Sequence, residues 1–401
     1  MQKYIYVLSN TCQAVKNFQI RLFGIARKSM HFYLPIIPYL CYINKSTLKN
    51  MKQNSENPFF GTYRTPFETP PFDQIETEHY EPAFDEGIRQ LDEEVRAIAD
   101  NAELPTFENT IVALERSGKL LDKVSSAFFN VLNAEADDEM MDISQRVSPK
   151  LSESSNNIYL NEKLFARVKS VYDRKEELHL PTEDARLLEE TFEAFSVRGA
   201  ALGPENKEKY RRLSSELSLL SLTFDQNALK DKNRYELLLT KENELEGLPE
   251  SIREAAALRA KEKGKTGWLF NLSAPSYVPF MRYSALRGLR EKMYREYMSV
   301  GNKGDEYDNK EIIRKIVNIR QEIANLMGHA NYADYKLKHT MAKTPARVYK
   351  LLNELLEAYK PVAQSEYEAV QGFASVTEKE NITVMPWDWS YYSEKLKDTR
   401  F

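Results

Sequence analysis

The stretch Leu286–Leu356 reads LRGLREKMYREYMSVGNKGDEYDN, then KEIIRKIVNIRQEIANLMGHANYADYKLKHTMAKTP, then ARVYKLLNELL. Its helix signals decide the fold. Asp308 stands before a helical pattern and Glu311 three residues later, the spacing at which one side chain caps the first turn and the other reaches back. Ile312, Ile316, Ile319, Ile323 and Leu326 then recur at steps of four and three, the apolar stripe of a packed helix. Gly328 marks its end. Thr344 followed by Pro345 opens another helix, because proline in the first turn lacks only an N–H that would have no partner there. The order is helix, glycine-containing loop, helix, short helix, long helix.

Composition agrees with a mainly α fold. The chain has 401 residues, 42% hydrophobic and 29% charged, as a globular protein does. Its 14 glycines and 17 prolines are too few for the turns of a sandwich or barrel. No run of ~18 apolar residues is present, so no membrane span is expected. Charge is uneven: residues 1–50 carry seven Lys or Arg and no Asp or Glu, which leaves −11 of the net −4 for the remainder. The acidic body excludes a basic nucleic-acid footprint. Both cysteines, Cys12 and Cys41, fall in the leader, so the body has neither a disulfide framework nor a thiolate site. The leader reads in three ways: a secretory signal, an organellar presequence, or sequence upstream of a start at Met51. Cytoplasm is the default location, with periplasmic export as the alternative.

Three regions follow: a basic leader over 1–50 outside the mature fold, an N-terminal helical region over 51–234, and a helical region over 235–401 with a small β element near 235–272. Asn57–Phe72 reads as an extended arm lying across helices. Helical patterning begins near Thr77. One further helix is expected from Thr106, with Phe107, Ile111, Leu114, Leu121, Val124 and Phe128 on one face and Gly118 marking close approach of another helix. Others are expected over Glu139–Asn156, Asn161–Arg174, Glu183–Arg198 and Asn206–Lys230. Tyr235–Leu239 and Trp268–Leu272 are short β-like runs around a helix at Ile252–Lys263. Ser276–Arg287 returns to helix. A long helix after Thr344 is expected to kink at Pro361. Trp387–Phe401 begins a new amphipathic run with no stop signal.

REYMSVGNKGDEYDN, MGHANYADYKL and TPARVYKLLNEL together resemble the thimet oligopeptidase family of zinc metallopeptidases, in its peptidyl-dipeptidase and oligopeptidase A branch. NPFFGTYRTPFETPPFDQIETEHYEPAF, LPTFENTIVALERSGKLL, NIYLNEKLFARV and PWDWSYYSEKL extend the resemblance from about Asn57 onward. It implies peptide hydrolysis at zinc, for which two imidazoles one helical turn apart and an adjacent glutamate are needed, HExxH. That pattern is absent. His31, His79, His179, His329 and His339 precede Phe, Tyr, Leu, Ala and Thr, and no two are four apart. His329 and His339, ten apart, would diverge on one helix and read as surface or packing residues. The family's zinc helix, its downstream glutamate ligand and its oxyanion-stabilising tyrosine and histidine lie beyond the matched region. No catalytic, cofactor-binding or metal residue is therefore assigned, and no zinc is expected on this chain.

Weaker patterns read structurally. Asp137, Asp138, Glu139 and Asp142 lack EF-hand spacing and suit a helix start. Gly301-Asn302-Lys303-Gly304 lacks the GK[ST] ending of a phosphate loop and suits a turn between helices. No serine has G-x-S-x-G context. Tyr391 and Tyr392 would either approach a substrate channel or pack in the core. The function expected is that of an N-terminal part of an oligopeptide-hydrolysing metallopeptidase, inactive alone, with short peptides and a C-terminal catalytic lobe as partners. The alternative is a non-catalytic helical peptide-binding protein derived from that family.

Overall fold

The computed structural model describes residues 57–135, 137–379 and 381–400. The leader with Cys12, Cys41 and His31, the start at Met51, and Phe401 lie outside the described residues. Up to Ala83 the chain forms one unit and from Phe84 another.

In the first unit, prolines at the first helical position start two 3₁₀ turns, Pro58–Phe60 and Pro66–Glu68. The Asn57 carboxamide accepts from the Phe59 N–H at 3.0 Å and donates to the His79 carbonyl at 2.8 Å, which ties the arm to the start of helix α1 (Tyr80–Ala99). The Phe59 ring lies tilted against that of Tyr80, with centroids 5.4 Å apart.

In the second unit the helix expected from Thr106 is two. Thr106 caps a π-helical segment, Phe107–Val112, accepting from the Asn109 N–H at 3.1 Å. The chain breaks at Gly118, whose φ of +77° is left-handed, and restarts as α2 (Lys119–Glu135). The Gly118 N–H donates to Glu94 Oε2 at 2.7 Å, so the close approach is real but the continuity is not. Next come α3 (Asp138–Tyr159), α4 (Glu162–Tyr172), α5 (Thr182–Val197) and α6 (Pro204–Arg234). Val95 of α1, Ile111 of the π-helical segment, Leu164 and Val168 of α4 and Phe195 of α5 share one core cluster.

β1 (Leu237–Leu239) pairs antiparallel with β2 (Trp268–Phe270), Leu238 opposite Leu269, around α7 (Glu250–Glu262). The helix expected over Ser276–Arg287 instead splits into α8 (Ala274–Tyr283) and α9 (Arg287–Met298), with extended backbone between. α10 (Lys310–Leu326) buries Ile316, Ile319 and Ile323, the last two in one cluster with Tyr210 and Leu213 of α6. Asn309 holds the N-cap position but makes no side-chain cap bond; the Asp308 carboxylate accepts from the first-turn Lys310 N–H at 2.9 Å, as expected. The Asn309 side chain is buried because it donates to the Phe224 carbonyl at 3.0 Å and accepts from Asn227 Nδ2 at 3.1 Å across the helix interface. Gly328 closes α10 at φ +80°, as expected.

α11 (Tyr332–Leu337) leads to α12 (Pro345–Glu378), capped by Thr344 accepting from the Arg347 N–H at 3.4 Å and running through Pro361. α13 (Trp389–Arg400) packs on the far end of α12 through Val370, Ala374, Tyr391 and Tyr392. Among the described residues the architecture is mainly α with one small two-stranded sheet, as composition implies.

Candidate functional site

The sequence motifs resolve into structural roles. Asp137 accepts from the Met140 N–H at 2.8 Å and caps α3, while Asp138 and Glu139 sit in its first turn. The Gly301–Gly304 loop presents backbone N–H groups to an anion, but that anion is internal. Asp231, wholly buried, accepts from the Gly301 N–H at 2.7 Å, from Lys303 Nζ at 3.2 Å and from Arg234 Nη2 at 2.7 Å. Burial pushes the Asp231 carboxyl upward, and the hydrogen bonds from Gly301, Lys303 and Arg234 outweigh it, leaving it below the usual range. Asp308 bridges the same loop, accepting from the Lys310 and Gly304 N–H groups, and its carboxyl is held down to about 2 by the Lys310 side chain and those amides.

A second buried carboxylate joins α9 to the segment before α13. Asp388 accepts from Arg287 Nη2 at 2.7 Å, Arg290 Nη2 at 2.8 Å and the Met385 N–H at 3.1 Å. Burial raises its carboxyl, and these bonds reverse the shift and hold it low. Arg290 is fully buried; it donates to the Ser284, Ala285 and Trp387 carbonyls and its guanidinium lies 4.1 Å from the Tyr391 ring centroid. Tyr391 and Tyr392 are core residues here. The Tyr392 hydroxyl donates to Glu378 Oε1 at 2.8 Å, and burial pushes its phenol upward.

The histidines do not fit a zinc centre. His79 Nδ1 accepts from the Glu76 N–H at 2.9 Å, the His329 ring lies 5.6 Å from that of Tyr335, and His339 pairs with Glu193 on α5. Among the described residues no three His, Cys, Asp or Glu converge as metal ligands. No step through a metal is derived from this chain.

What the chain presents instead is surface. Every residue of α12 from 349 to 368 is exposed. Leu351, Leu352, Leu355, Leu356, Tyr359 and Val362 recur at helical spacing on one side, and Lys350, Glu354, Glu357 and Lys360 take the other. An amphipathic helix normally turns such a stripe to a core; this one faces outward, Leu356 being 60% exposed. Ile313 and Val317 add exposed apolar side chains on the outer side of α10. The helical period of this stripe was legible; its outward exposure was not.

A further feature lies between α3 and α6, which run antiparallel with Asn156 bonded to Ser214 at 3.0 Å and Gln226 to the Met141 carbonyl at 3.1 Å. Between them opens a cavity of about 420 Å³, walled by serines of both helices, Phe129, Tyr159, Tyr210 and Arg198. The only sequence signal for it is serine at steps of three and four over Ser148, Ser152 and Ser155 and again over Ser214 and Ser218.

Residues 280–401 match Peptidase family M3. Over 348 residues the chain is 36% identical to the dipeptidyl carboxypeptidase of Escherichia coli (strain K12), covering 86% of this chain and 51% of that protein. It is 31% identical over 337 residues to oligopeptidase A of the same organism, covering 83% and 49%, and 29% identical over 348 residues to the organellar oligopeptidase A, chloroplastic/mitochondrial, of Arabidopsis thaliana, covering 84% and 43%. The chain belongs to the thimet oligopeptidase family, peptidase family M3. It spans about half the length of the curated relatives it matches.

Proposed function

We propose that this chain is the N-terminal portion of a zinc-dependent metallopeptidase that hydrolyses oligopeptides in the peptidyl-dipeptidase manner. Its two helical regions, 51–234 and 235–401, supply the shaped wall along which a short peptide lies. The metal and the water-activating groups come from residues outside this sequence, since none of its five histidines stands in HExxH. Alone, the chain does not turn over peptides.

The observation that carries this reading is the outward apolar stripe of α12. Monomers rarely leave contiguous apolar patches above a few hundred Å² uncovered, and each large apolar side chain returned from water contributes ~1.5–3 kcal/mol. A second catalytic lobe, of the kind the half-length match to the relatives leaves room for, gives that stripe a partner.

The test is metal analysis and peptide hydrolysis by the purified chain, alone and co-expressed with the half of the Escherichia coli dipeptidyl carboxypeptidase that it does not match. The expected result is no stoichiometric zinc and no hydrolysis alone, with both gained in the complex. Tight one-to-one zinc together with peptidase activity in the isolated chain overturns the proposal.

A further inference from the structure

The cavity between α3 and α6 has a chemistry that neither helix packing nor the reading above requires. Ser148, Ser152 and Ser155 line it from α3 and Ser214 and Ser218 from α6. Antiparallel helices in contact normally bury leucine and valine at such positions. Here hydroxyls replace them and a space of about 420 Å³ remains open between the helices.

The single charged side chain on its wall is Arg198, at the C-terminal end of α5. Its guanidinium sits 4.0 Å from the Tyr159 ring centroid, and Nη1 is 3.5 Å from Ser155 Oγ. No aspartate or glutamate lines the cavity, and Arg198 stands at its solvent-exposed rim. A guanidinium is never neutral at physiological pH and offers a planar pair of N–H donors matched to an oxyanion. Stacking on Tyr159 holds that plane in place, and hydroxyls beside it add rotatable donors. Tyr210 stays protonated, because burial pushes its phenol upward.

Apart from the Asn156 carboxamide, which is bonded to Ser214, the rest of the wall is apolar: Phe129, Leu151 and the ring faces of the two tyrosines. Small-ligand sites measure ~300–1,000 Å³, and a water takes about 30 Å³. The cavity is therefore much larger than a bare inorganic ion needs and matches an anion attached to an apolar body.

We propose that this cavity is a binding site for a small organic carboxylate, held by Arg198 and the α3 and α6 serines with its apolar part against Phe129, Tyr159 and Tyr210. The site is separate from the α12 surface and does not depend on peptidase activity.

Calorimetric titration of the full chain with three probes tests it: N-acetylphenylalanine, N-acetylphenylalanine amide, and inorganic phosphate. The acid is expected to bind saturably, the amide and phosphate at least about tenfold more weakly, the difference one charge-assisted contact supplies. Arg198→Gln lowers affinity for the acid at least about tenfold, and Arg198→Lys recovers part of it because charge without the planar fork is retained. Ser218 is exposed on α6, so Ser218→Phe fills the cavity from outside without disturbing the core, and abolishes binding of the acid. Circular dichroism melts identify any variant that fails to fold, and the remaining variants then decide. Equal affinity for acid and amide, unchanged binding in folded Arg198→Gln or Ser218→Phe, tighter binding of phosphate than of the acid, or no saturable binding of the acid below ~10 mM overturns the proposal.

Discussion

Asp388→Asn isolates the buried charge that fastens α9 to the segment before α13. Asparagine keeps the size and an acceptor for the Met385 N–H, so packing and the local turn survive while the negative charge is lost. Arg290 is then a fully buried cation without its counter-ion. Breaking a buried pair by removing one partner costs ~3–5 kcal/mol, far above the ~0–1 kcal/mol of a surface pair. Arg290 still donates to three carbonyls and lies on Tyr391, so the lower end of that range, about 3 kcal/mol, is expected. The three tryptophans, Trp268, Trp387 and Trp389, all lie between β2 and α13, so their emission during urea unfolding reports this part of the chain. The native Asp388 carboxyl is held below the usual range, so its contribution is complete above the unfolded value of ~3.9 and is lost as pH falls through the lower native value. Below pH ~4 the parent therefore loses stability by this route and Asp388→Asn does not, which narrows the gap between them. A loss under ~1 kcal/mol at neutral pH, the value of a surface pair, or an unchanged gap on acidification, refutes the reasoning.

Gly267→Ala places a Cβ 2.3 Å from the Leu239 carbonyl oxygen at φ +118°, and is expected to lower stability by ~2–4 kcal/mol in the same urea assay. Gly264→Ala, at φ +66° with nothing within 4 Å, is expected to cost only about 1 kcal/mol. Leu352→Ser with Leu356→Ser changes stability by no more than ~0.5 kcal/mol per site, because both side chains are exposed, yet lowers self-association in sedimentation velocity. A large stability loss there means that α12 has an internal partner after all.

Helix positions were readable wherever an apolar period coincided with a cap, as for α10 and the Thr344-Pro345 start of α12. The misplacements have separate causes. Asp308 caps the Lys310 N–H, but the N-cap position falls one residue on at Asn309, whose side chain is drawn inward by Phe224 and Asn227, partners 85 and 82 residues away. No local pattern encodes that. The breaks at Gly118 and between α8 and α9 fall where apolar spacing continues on both sides, so period alone bridges them. That HExxH does not occur is read from residue identities alone and needs no geometry. The place of Arg198 was not legible, since nothing local shows that an exposed arginine at a helix end lies beside Ser155, 43 residues away.

At 1.5 Å per residue α12 is roughly 50 Å long, and its buried residues, Val370 and Ala374, lie near its far end, where Phe373 and Tyr367 also pack. The middle of such a rod can breathe without disturbing anything else, because opening a turn there uncovers no packed side chain. Amide protons between residues 349 and 368 should therefore trade with deuterium through local opening, far faster than those around Val370. Slowing of that trade on adding another polypeptide would mark where, along the rod, the newcomer has settled.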